Sequence, residues 1–265
     1  DYKLALEPDK KDYINGDKAA IKVKGSYFFG APLSNGRIEW SANTQDYYFF
    51  LNPDSDSPYA SKWFSFSDEG YLCMWGCKGD TGQVACGKAQ LDKDGKYTIV
   101  LPLDITKKKL SQMYTFSVTA FDLNNQSVTQ RITVPVHAGE YYIGILNSDY
   151  VVSQKDPVSF DVVSVDFKGQ PVANKQVDVS LYKRNWNTVK KKNVDSDFYY
   201  EKSYEDVFVE KQTVTTDNKG YAKVSFKSKD GGNFKATAES KDNRGNKVKA
   251  STTVYVTSDQ FINWG

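Results

Sequence analysis

The sequence predicts an all-β protein made of two tandem antiparallel β-sandwich domains. The first observation behind this prediction is the alternation of apolar and polar residues along short stretches such as 221–226 and 248–256. A period of two places every second side chain on one face, as in a half-buried strand. The second observation is a long-period repeat of turn motifs. No stretch has the pattern of a long helix.

Each half of the chain carries the same two turn motifs in the same order. A Gly-x-Pro turn follows an early strand, at Gly30–Pro32 in the first half and at Gly169–Pro171 in the second. An Asp-x-x-Gly turn then precedes a hairpin, at Asp92–Gly95 and at Asp217–Gly220. These residue types are typical of tight turns, because glycine adopts positive φ angles without steric cost. The repeat therefore indicates two copies of one domain.

The chain length and the repeat together predict the domain boundaries. A chain of 265 residues is long for one ordinary sandwich and suits two domains. We predict a first domain over residues 1–137, a second over 138–258, and a lead-in to a following domain over 259–265. The two turn motifs lie farther apart in the first half, which predicts an insertion near residues 66–88 that contains the cysteines.

One segment of the second half, residues 187–208, lacks any clear pattern because it mixes charged with aromatic residues. We predict an exposed connection here, with a protease-accessible loop at Lys190, Lys191 and Lys192. Trp186 precedes this segment and follows the second Gly-x-Pro turn, as Trp40 follows the first. We therefore expect both tryptophans to hold equivalent places, with large aromatic rings anchoring the cores.

Charged residues nearly cancel, with 35 Lys and Arg against 33 Asp and Glu. Nucleic-acid binding needs a concentrated basic face, and the only dense basic runs are residues 107–109 and 190–192. Short lysine runs commonly protect loops and exposed strand edges. No apolar stretch approaches the roughly 20 residues that a membrane-spanning helix needs. The sequence therefore argues against a nucleic-acid partner and against a direct membrane span.

The three cysteines, Cys73, Cys77 and Cys86, lie close together in a glycine-rich region. A structural zinc site takes four ligands, and the single histidine, His137, is far away in the sequence, so we expect no metal. Cys77 and Cys86 flank a turn and are the expected disulfide pair, with Cys73 as the alternative partner. A disulfide implies an oxidising compartment.

We expect no catalytic residues and no cofactor. A serine or cysteine nucleophile needs a neighbouring base, and His137 is expected at the surface of a linker between the domains. Nothing marks two of the acidic residues as a glycosidase pair. Asp92 and Asp94 resemble part of a calcium loop, but they lack the full alternation of oxygen ligands. We interpret them as turn residues.

Three stretches together resemble a known family. Residues 6–17 read LEPDKKDYINGD, residues 23–34 read VKGSYFFGAPLS, and residues 163–172 read VSVDFKGQPV. In order and spacing, these motifs and the later Asp217–Gly220 turn resemble the macroglobulin domains of bacterial alpha-2-macroglobulins. The resemblance covers nearly the whole chain. It implies macroglobulin-type sandwiches, related in architecture to fibronectin type III and immunoglobulin-like domains.

The resemblance implies a non-enzymatic scaffold segment of a broad-spectrum bacterial protease inhibitor. In that family such domains hold a protease-sensitive bait segment and a thioester domain. The reactive Cys-Gly-Glu-Gln run is missing, and the nearest stretch is Cys86-Gly87-Lys88-Ala89. The implied partners are other domains of the same polypeptide and, through the parent protein, target proteases. The implied location is extracytoplasmic, in the bacterial periplasm or at the cell surface, with any lipid anchor in a segment outside this sequence.

The alternative is a cell-surface adhesin or a carbohydrate-binding pair of immunoglobulin-like domains. Aromatic clusters at residues 47–50, 63–75 and 199–204 offer flat faces on which sugars could stack. The competing interpretation is that these rings cover the ends of the sandwiches. Glycan binding that is lost on substitution of Trp63 or Trp75 would favour the alternative.

Overall fold

The computed structural model describes residues 1–68, 81–122, 124–192 and 198–258, and every regular element in these ranges is a β-strand. The predicted all-β class is therefore confirmed. Among the residues described, none forms a helix able to span a membrane. The strands are β1 (Tyr2–Pro8), β2 (Tyr13–Ile14), β3 (Lys18–Tyr27), β4 (Arg37–Tyr47), β5 (Gly82–Gln90), β6 (Lys96–Pro102), β7 (Ser111–Phe121), β8 (Ser127–His137), β9 (Tyr142–Asn147), β10 (Val151–Ser153), β11 (Val158–Val165), β12 (Gln176–Lys192), β13 (Phe198–Thr215), β14 (Tyr221–Phe226), β15 (Gly232–Lys241) and β16 (Lys247–Thr257).

The strands form sheets in which one topology occurs twice. One three-stranded sheet has the order β1-β3-β6, and the other has the order β9-β11-β14. The five-stranded sheets have the orders β2-β8-β7-β4-β5 and β10-β16-β15-β12-β13. In both five-stranded sheets the short first strand pairs in parallel with its neighbour. This correspondence agrees with the tandem repeat that the turn motifs indicated.

Contacts within the chain define two compact units. Unit 1 comprises Asp1–Tyr48 and Gly76–Glu140, and unit 2 comprises Phe49–Trp75 and Tyr141–Gly265. We expected two contiguous domains, so the packing of a first-half segment within unit 2 is a feature that the sequence did not reveal. Of the expected insertion near residues 66–88, residues 82–88 belong to β5, which pairs with β4 with one register shift at Ala42/Asn43.

Each unit packs its two sheets around its own apolar core. Ile21 of β3 and Phe116 of β7 are fully buried in unit 1. Phe160 of β11 and Phe234 of β15 are buried in the same way in unit 2. Full burial of one such side chain stabilises a fold by about 2 kcal/mol. The alternating stretches of the sequence therefore correspond to strands that face these cores.

The two tryptophans do not hold equivalent places. Trp40 packs against the core of unit 1 and opposes Val118, four residues before the turn at Asp122. In unit 2 the residue four positions before the turn at Asp242 is Ala238. Its partner on β12 is Val179. Trp186 lies seven residues farther along β12 and is 48% exposed. The expectation for Trp186 was wrong, because its spacing from the Gly-x-Pro turn was read without the register of the strands.

Five turns share one hydrogen-bonding pattern. An aspartate Oδ1 accepts hydrogen bonds from the backbone N–H groups two and four residues later, and the residue three positions later has a positive φ angle. The carboxylate of each aspartate thus stabilises the turn, as in the interpretation of Asp92 above. The aspartates are Asp92, Asp122, Asp166, Asp217 and Asp242, and the positive-φ residues are Gly95, Asn125, Gly169, Gly220 and Gly245.

The sequence predicted an exposed connection over residues 187–208; the described part of this segment is strand, and its described side chains are mostly exposed. β12 pairs with β15 from Asp178 to Arg184 and with β13 along its whole length. Beyond Arg184, residues 185–192 and 198–205 pair with each other and extend from the sheet; we call this extension the arm. Its strands are about 26 Å long at 3.3 Å per residue. The side chains of residues 185–190 and 203–205 are exposed on both faces, so this part of the arm needs no apolar alternation and the sequence pattern did not predict it.

We expect the substitution Gly220→Ala to destabilise unit 2. Gly220 has a φ of +66°, and a Cβ at this position would lie 2.5 Å from the carbonyl oxygen of Ser164 in β11. The combined backbone strain and clash should lower the free energy of unfolding by about 2–3 kcal/mol, measured by urea denaturation. Gly245→Ala is the matched control, since a Cβ at Gly245 would meet nothing within 4 Å at a φ of +82°. Equal losses for both variants would contradict a steric role for Ser164.

Candidate functional site

Residues 49–68, called the strap below, pack on the outer face of the β9-β11-β14 sheet within unit 2. The strap contains no named strand, and the sandwich core of unit 2 includes none of its residues. Its buried rings instead form a separate apolar cluster with three residues of the sheet, Tyr142, Val163 and Val165. The buried strap residues of this cluster are Tyr59, Phe64 and Phe66.

The ring of Phe66 in the strap packs over Gly144 of β9. A Cβ at Gly144 would lie 2.6 Å from Cε1 of Phe66, so the ring needs a glycine beneath it. Phe49 stacks on Tyr142 with 4.0 Å between the ring centroids. Phe49 also packs edge to face with Phe66 at 5.0 Å. These rings form a continuous apolar layer along β9.

Backbone hydrogen bonds connect the end of the strap to both sheets of unit 2. Ser65 and Ile145 of β9 exchange two hydrogen bonds of 2.9 Å between N–H and C=O. The N–H of Ser251 in β16 donates to the carbonyl of Ser67 at 3.1 Å. β9 is the edge strand of its sheet, and the pairing of β16 with β10 begins only at Tyr255. The strap therefore satisfies backbone groups that would otherwise lie at open edges.

The two turn motifs of unit 2 accept hydrogen bonds from strap side chains. The hydroxyl of Ser57 donates to the carbonyl of Gly169 at 2.6 Å, in the Gly-x-Pro turn. The hydroxyl of Tyr59 donates to the carbonyl of Lys219, in the Asp-x-x-Gly turn. The turns that mark the repeat thus also bind the strap.

Asp68 forms an ion-pair cluster at the end of the strap. Its carboxylate lies 2.9 Å from Nζ of Lys235 and 2.8 Å from Nζ of Lys249. Burial raises the pKa of this carboxyl, but the two lysines outweigh burial and hold the pKa at about 2. Because the Lys235 side chain is itself buried, the negative charge of Asp68 compensates for the desolvation of its ammonium group.

Two apolar runs of unit 2 contained a signal for this site. β9 reads Tyr-Ile-Gly-Ile-Leu-Asn and β11 ends in Val-Val-Ser-Val, and almost every residue of these runs is buried. A strand with one face in solvent alternates, whereas a strand covered on both faces has a nearly continuous apolar sequence. The runs indicate a second cover for the sheet. They do not identify the strap as that cover.

A buried ion pair at the base of the arm was not predicted from the sequence. Arg184 is 5% exposed and donates Nε and Nη2 to the two carboxylate oxygens of Asp206, at 2.7 and 2.8 Å. Its guanidinium lies 3.8 Å from the ring centroid of Tyr204, which packs edge to face with Trp186. A register shift at Leu181/Tyr182 sets these cross-strand partners, so sequence spacing did not reveal them.

The predicted disulfide stays a prediction, because Cys73 and Cys77 lie outside the described residues, and Cys86 is exposed on β5. The predicted loop at Lys190, Lys191 and Lys192 is instead part of β12, because these residues pair with β13. Cleavage at these lysines also stays a prediction. Of the two tryptophans proposed for sugar stacking, Trp63 is 85% exposed, and Trp75 lies outside the described residues.

His137 is buried in unit 1, which corrects its expected place on the surface of a linker. It ends β8, and Nε2 lies 3.1 Å from Oδ1 of Asp12. Tyr47 packs against its ring edge to face. Burial lowers the pKa of His137, and Asp12 offsets part of this effect. The prediction of a linker was wrong because strand β8 continues as far as His137.

The two units are β-sandwiches of one topology, so the chain is a tandem β-sandwich protein. Residues 143–257 match the sequence profile of a family described as bacterial macroglobulin domain 6. The matched residues lie within unit 2 and make up less than half of the chain. No curated protein matches the chain.

Solved structures of bacterial alpha-2-macroglobulins share the fold across nearly the whole chain. Native Escherichia coli alpha-2-macroglobulin is 17% identical with a TM-score of 0.61, over 97% of this chain and 16% of that chain. The same protein activated by porcine elastase is 17% identical with a TM-score of 0.61, over 97% of this chain and 22% of that chain. Salmonella alpha-2-macroglobulin reacted with methylamine is 16% identical with a TM-score of 0.60, over 96% of this chain and 16% of that chain. Together with the profile match, these structural similarities confirm the resemblance to the bacterial alpha-2-macroglobulin family. This chain spans only a small part of the length of those proteins.

We expect the Asp68 ion pairs to contribute stability that disappears in acid. Asp68→Asn should lower the free energy of unfolding by about 2 kcal/mol at pH 7, since it leaves the lysines without the carboxylate charge. Because the folded pKa of about 2 lies below the ordinary value of 3.8, this contribution is complete above about pH 5 and is lost as the pH falls towards 2. Urea denaturation from pH 7 to pH 2 measures the difference, and exposed Asp54→Asn is the control. A difference that stays constant down to pH 2 would contradict the assignment.

We expect His137 to make unit 1 less stable in mild acid. Its folded pKa is lowered, so between pH 7.5 and 5.5 protons bind preferentially to the unfolded chain, which has an ordinary histidine pKa of about 6.5. The free energy of unfolding should therefore fall over this window. His137→Gln, which does not titrate, should remove the dependence, because the chain has a single histidine. An unchanged pH profile in this variant would rule out His137 as the cause.

Proposed function

We propose that this chain is a non-catalytic scaffold segment of a bacterial alpha-2-macroglobulin-type protease inhibitor. The observation that carries the proposal is the fold likeness to bacterial alpha-2-macroglobulins over 96–98% of the chain, together with the macroglobulin domain at residues 143–257. The chain spans 16–22% of the length of those proteins. Inhibition would therefore belong to a longer protein of which these two units are one part.

The use of polar residues within the chain supports a structural role. The aspartates of five turns accept backbone hydrogen bonds, and the single histidine is buried beside Asp12. Arg184 and Asp68 are engaged in ion pairs. These groups stabilise the fold and are not arranged as a nucleophile with its base. The partners that fit such a segment are neighbouring domains of the same polypeptide and, through them, target proteases. The matching location is extracytoplasmic.

The test compares this chain with the longer protein that contains it. One solved relative is described as activated by porcine elastase, which makes elastase a suitable target protease. We expect the longer protein to slow the hydrolysis of a large protein substrate by elastase, and the chain alone to leave the rate unchanged. Inhibition by the chain alone would place the activity in this segment and contradict a scaffold role. A longer protein without any effect on elastase, trypsin or other endopeptidases would contradict the inhibitor assignment.

A further inference from the structure

We propose that the outer face of the β9-β11-β14 sheet is a peptide-docking groove, and that the strap is a displaceable ligand supplied by the same chain. The groove would accept an extended peptide with aromatic residues that cover β9 and an acidic residue near its C-terminal end. This assignment adds a binding site to unit 2 that is independent of the inhibitor role.

The strap and the sandwich core of unit 2 are physically separate. The core lies between the two sheets and consists of residues from 141 onwards, among them Phe160, Phe226 and Phe234. The strap packs in a second cluster on the opposite face of one sheet, and it adds a single isolated bridge, Ser65 with Ile145. Removal of the strap would therefore expose an apolar face without opening the main core.

The contacts of the strap resemble those of a bound peptide. Peptides that bind at a sheet edge gain affinity from main-chain hydrogen bonds and specificity from side-chain pockets. Here the main-chain bonds join Ser65 to Ile145, and Ser67 to Ser251. The ring of Phe66 occupies the space above Gly144, which has no side chain to fill it. The recognised pattern at this end is an aromatic residue, any residue, then an acidic residue.

Charge selects the acidic end of the ligand. Nζ of Lys235 and Nζ of Lys249 both lie within 3 Å of the Asp68 carboxylate. The Lys235 side chain is only 8% exposed, so its ammonium group has little contact with solvent and strongly favours a carboxylate partner. A neutral or basic residue at the position of Asp68 would lose this interaction.

The covalent connection explains why the groove is closed in the intact chain. A tethered ligand has an effective concentration of about millimolar or higher, so a free peptide at micromolar concentration cannot compete with it. The groove becomes available only when the strap is weakened. The relevant comparison is therefore between intact chains that differ in the strap alone.

The experiment uses the full chain with the double substitution Phe49→Ala and Phe66→Ala, which removes rings that contact Tyr142 and Gly144. The probe is a fluorescent synthetic peptide with the sequence of residues 49–68, and binding is measured by anisotropy. We expect the weakened chain to bind the probe at least about tenfold more tightly than the wild type does. Trp63→Ala, which changes an exposed ring of the same segment, should behave as the wild type.

Two further changes test whether binding occurs in the groove. Gly144→Val in the weakened chain should abolish binding, because the added side chain would occupy the place of the Phe66 ring. A probe with Asp68→Asn should bind about tenfold more weakly, since it lacks the charge that faces the two lysines. Binding that is insensitive to both changes would overturn the proposal.

The stability of unit 2 in the weakened chain shows whether the strap is a bound ligand or an integral part of the fold. If the strap is a ligand, the weakened chain keeps cooperative unfolding and slow amide exchange in β11 and β14, which line the main core. Loss of this protection would show that the strap belongs to the fold and would overturn the proposal. A folded variant that fails to bind the probe, or that binds it no better than the wild type, would do the same.

Discussion

The β9-β11-β14 sheet has two apolar faces, and this constraint determines much of the structure of unit 2. One face is buried against the five-stranded sheet, while the other carries Tyr142, Val163 and Val165. Apolar surface in water is unfavourable by about 25 cal/mol per Å², so the second face needs a cover. The segment that provides it comes from the first half of the chain. Three features follow from this requirement. They are the interrupted boundaries of the units, the glycine at position 144, and the hydrogen bonds from the strap to both turns.

Unit 1 has the same topology without the same requirement. Its three-stranded sheet places Lys18, Lys22 and Lys24 of β3 on the outer side, where all three are exposed. The corresponding strand of unit 2, β11, has Val163 and Val165 facing outwards. Lysine side chains are well solvated at an outer face, and valine side chains are not. Two copies of one fold thus differ in whether they need a cover, and a few outward-facing residues make that difference.

The sequence predicted those parts of the fold that depend on local chemistry. The aspartate and glycine turns were recognisable, because their hydrogen bonds join residues at most four positions apart. The alternating strands and the all-β class were recognisable because alternation reports which face a strand buries. The burial of His137 and the partners of Arg184 depend on strand continuation and register, which a local pattern does not contain. The strap depends on contacts between residues far apart in the sequence, such as Phe66 with Gly144.

The two copies differ clearly at one connection of the shared topology. The hairpin β4–β5 of unit 1 corresponds to β12–β13 of unit 2. In the first copy β4 ends at Tyr47, and the connection to β5 contains the strap. In the second copy the same hairpin continues past the sheet as the arm, fixed at its base by Arg184 and Asp206. Connections can change without disturbing the core, and binding functions are therefore commonly found on them. The same connection thus contains, in one copy, the strap that covers the outer face of the β9-β11-β14 sheet and, in the other copy, the arm.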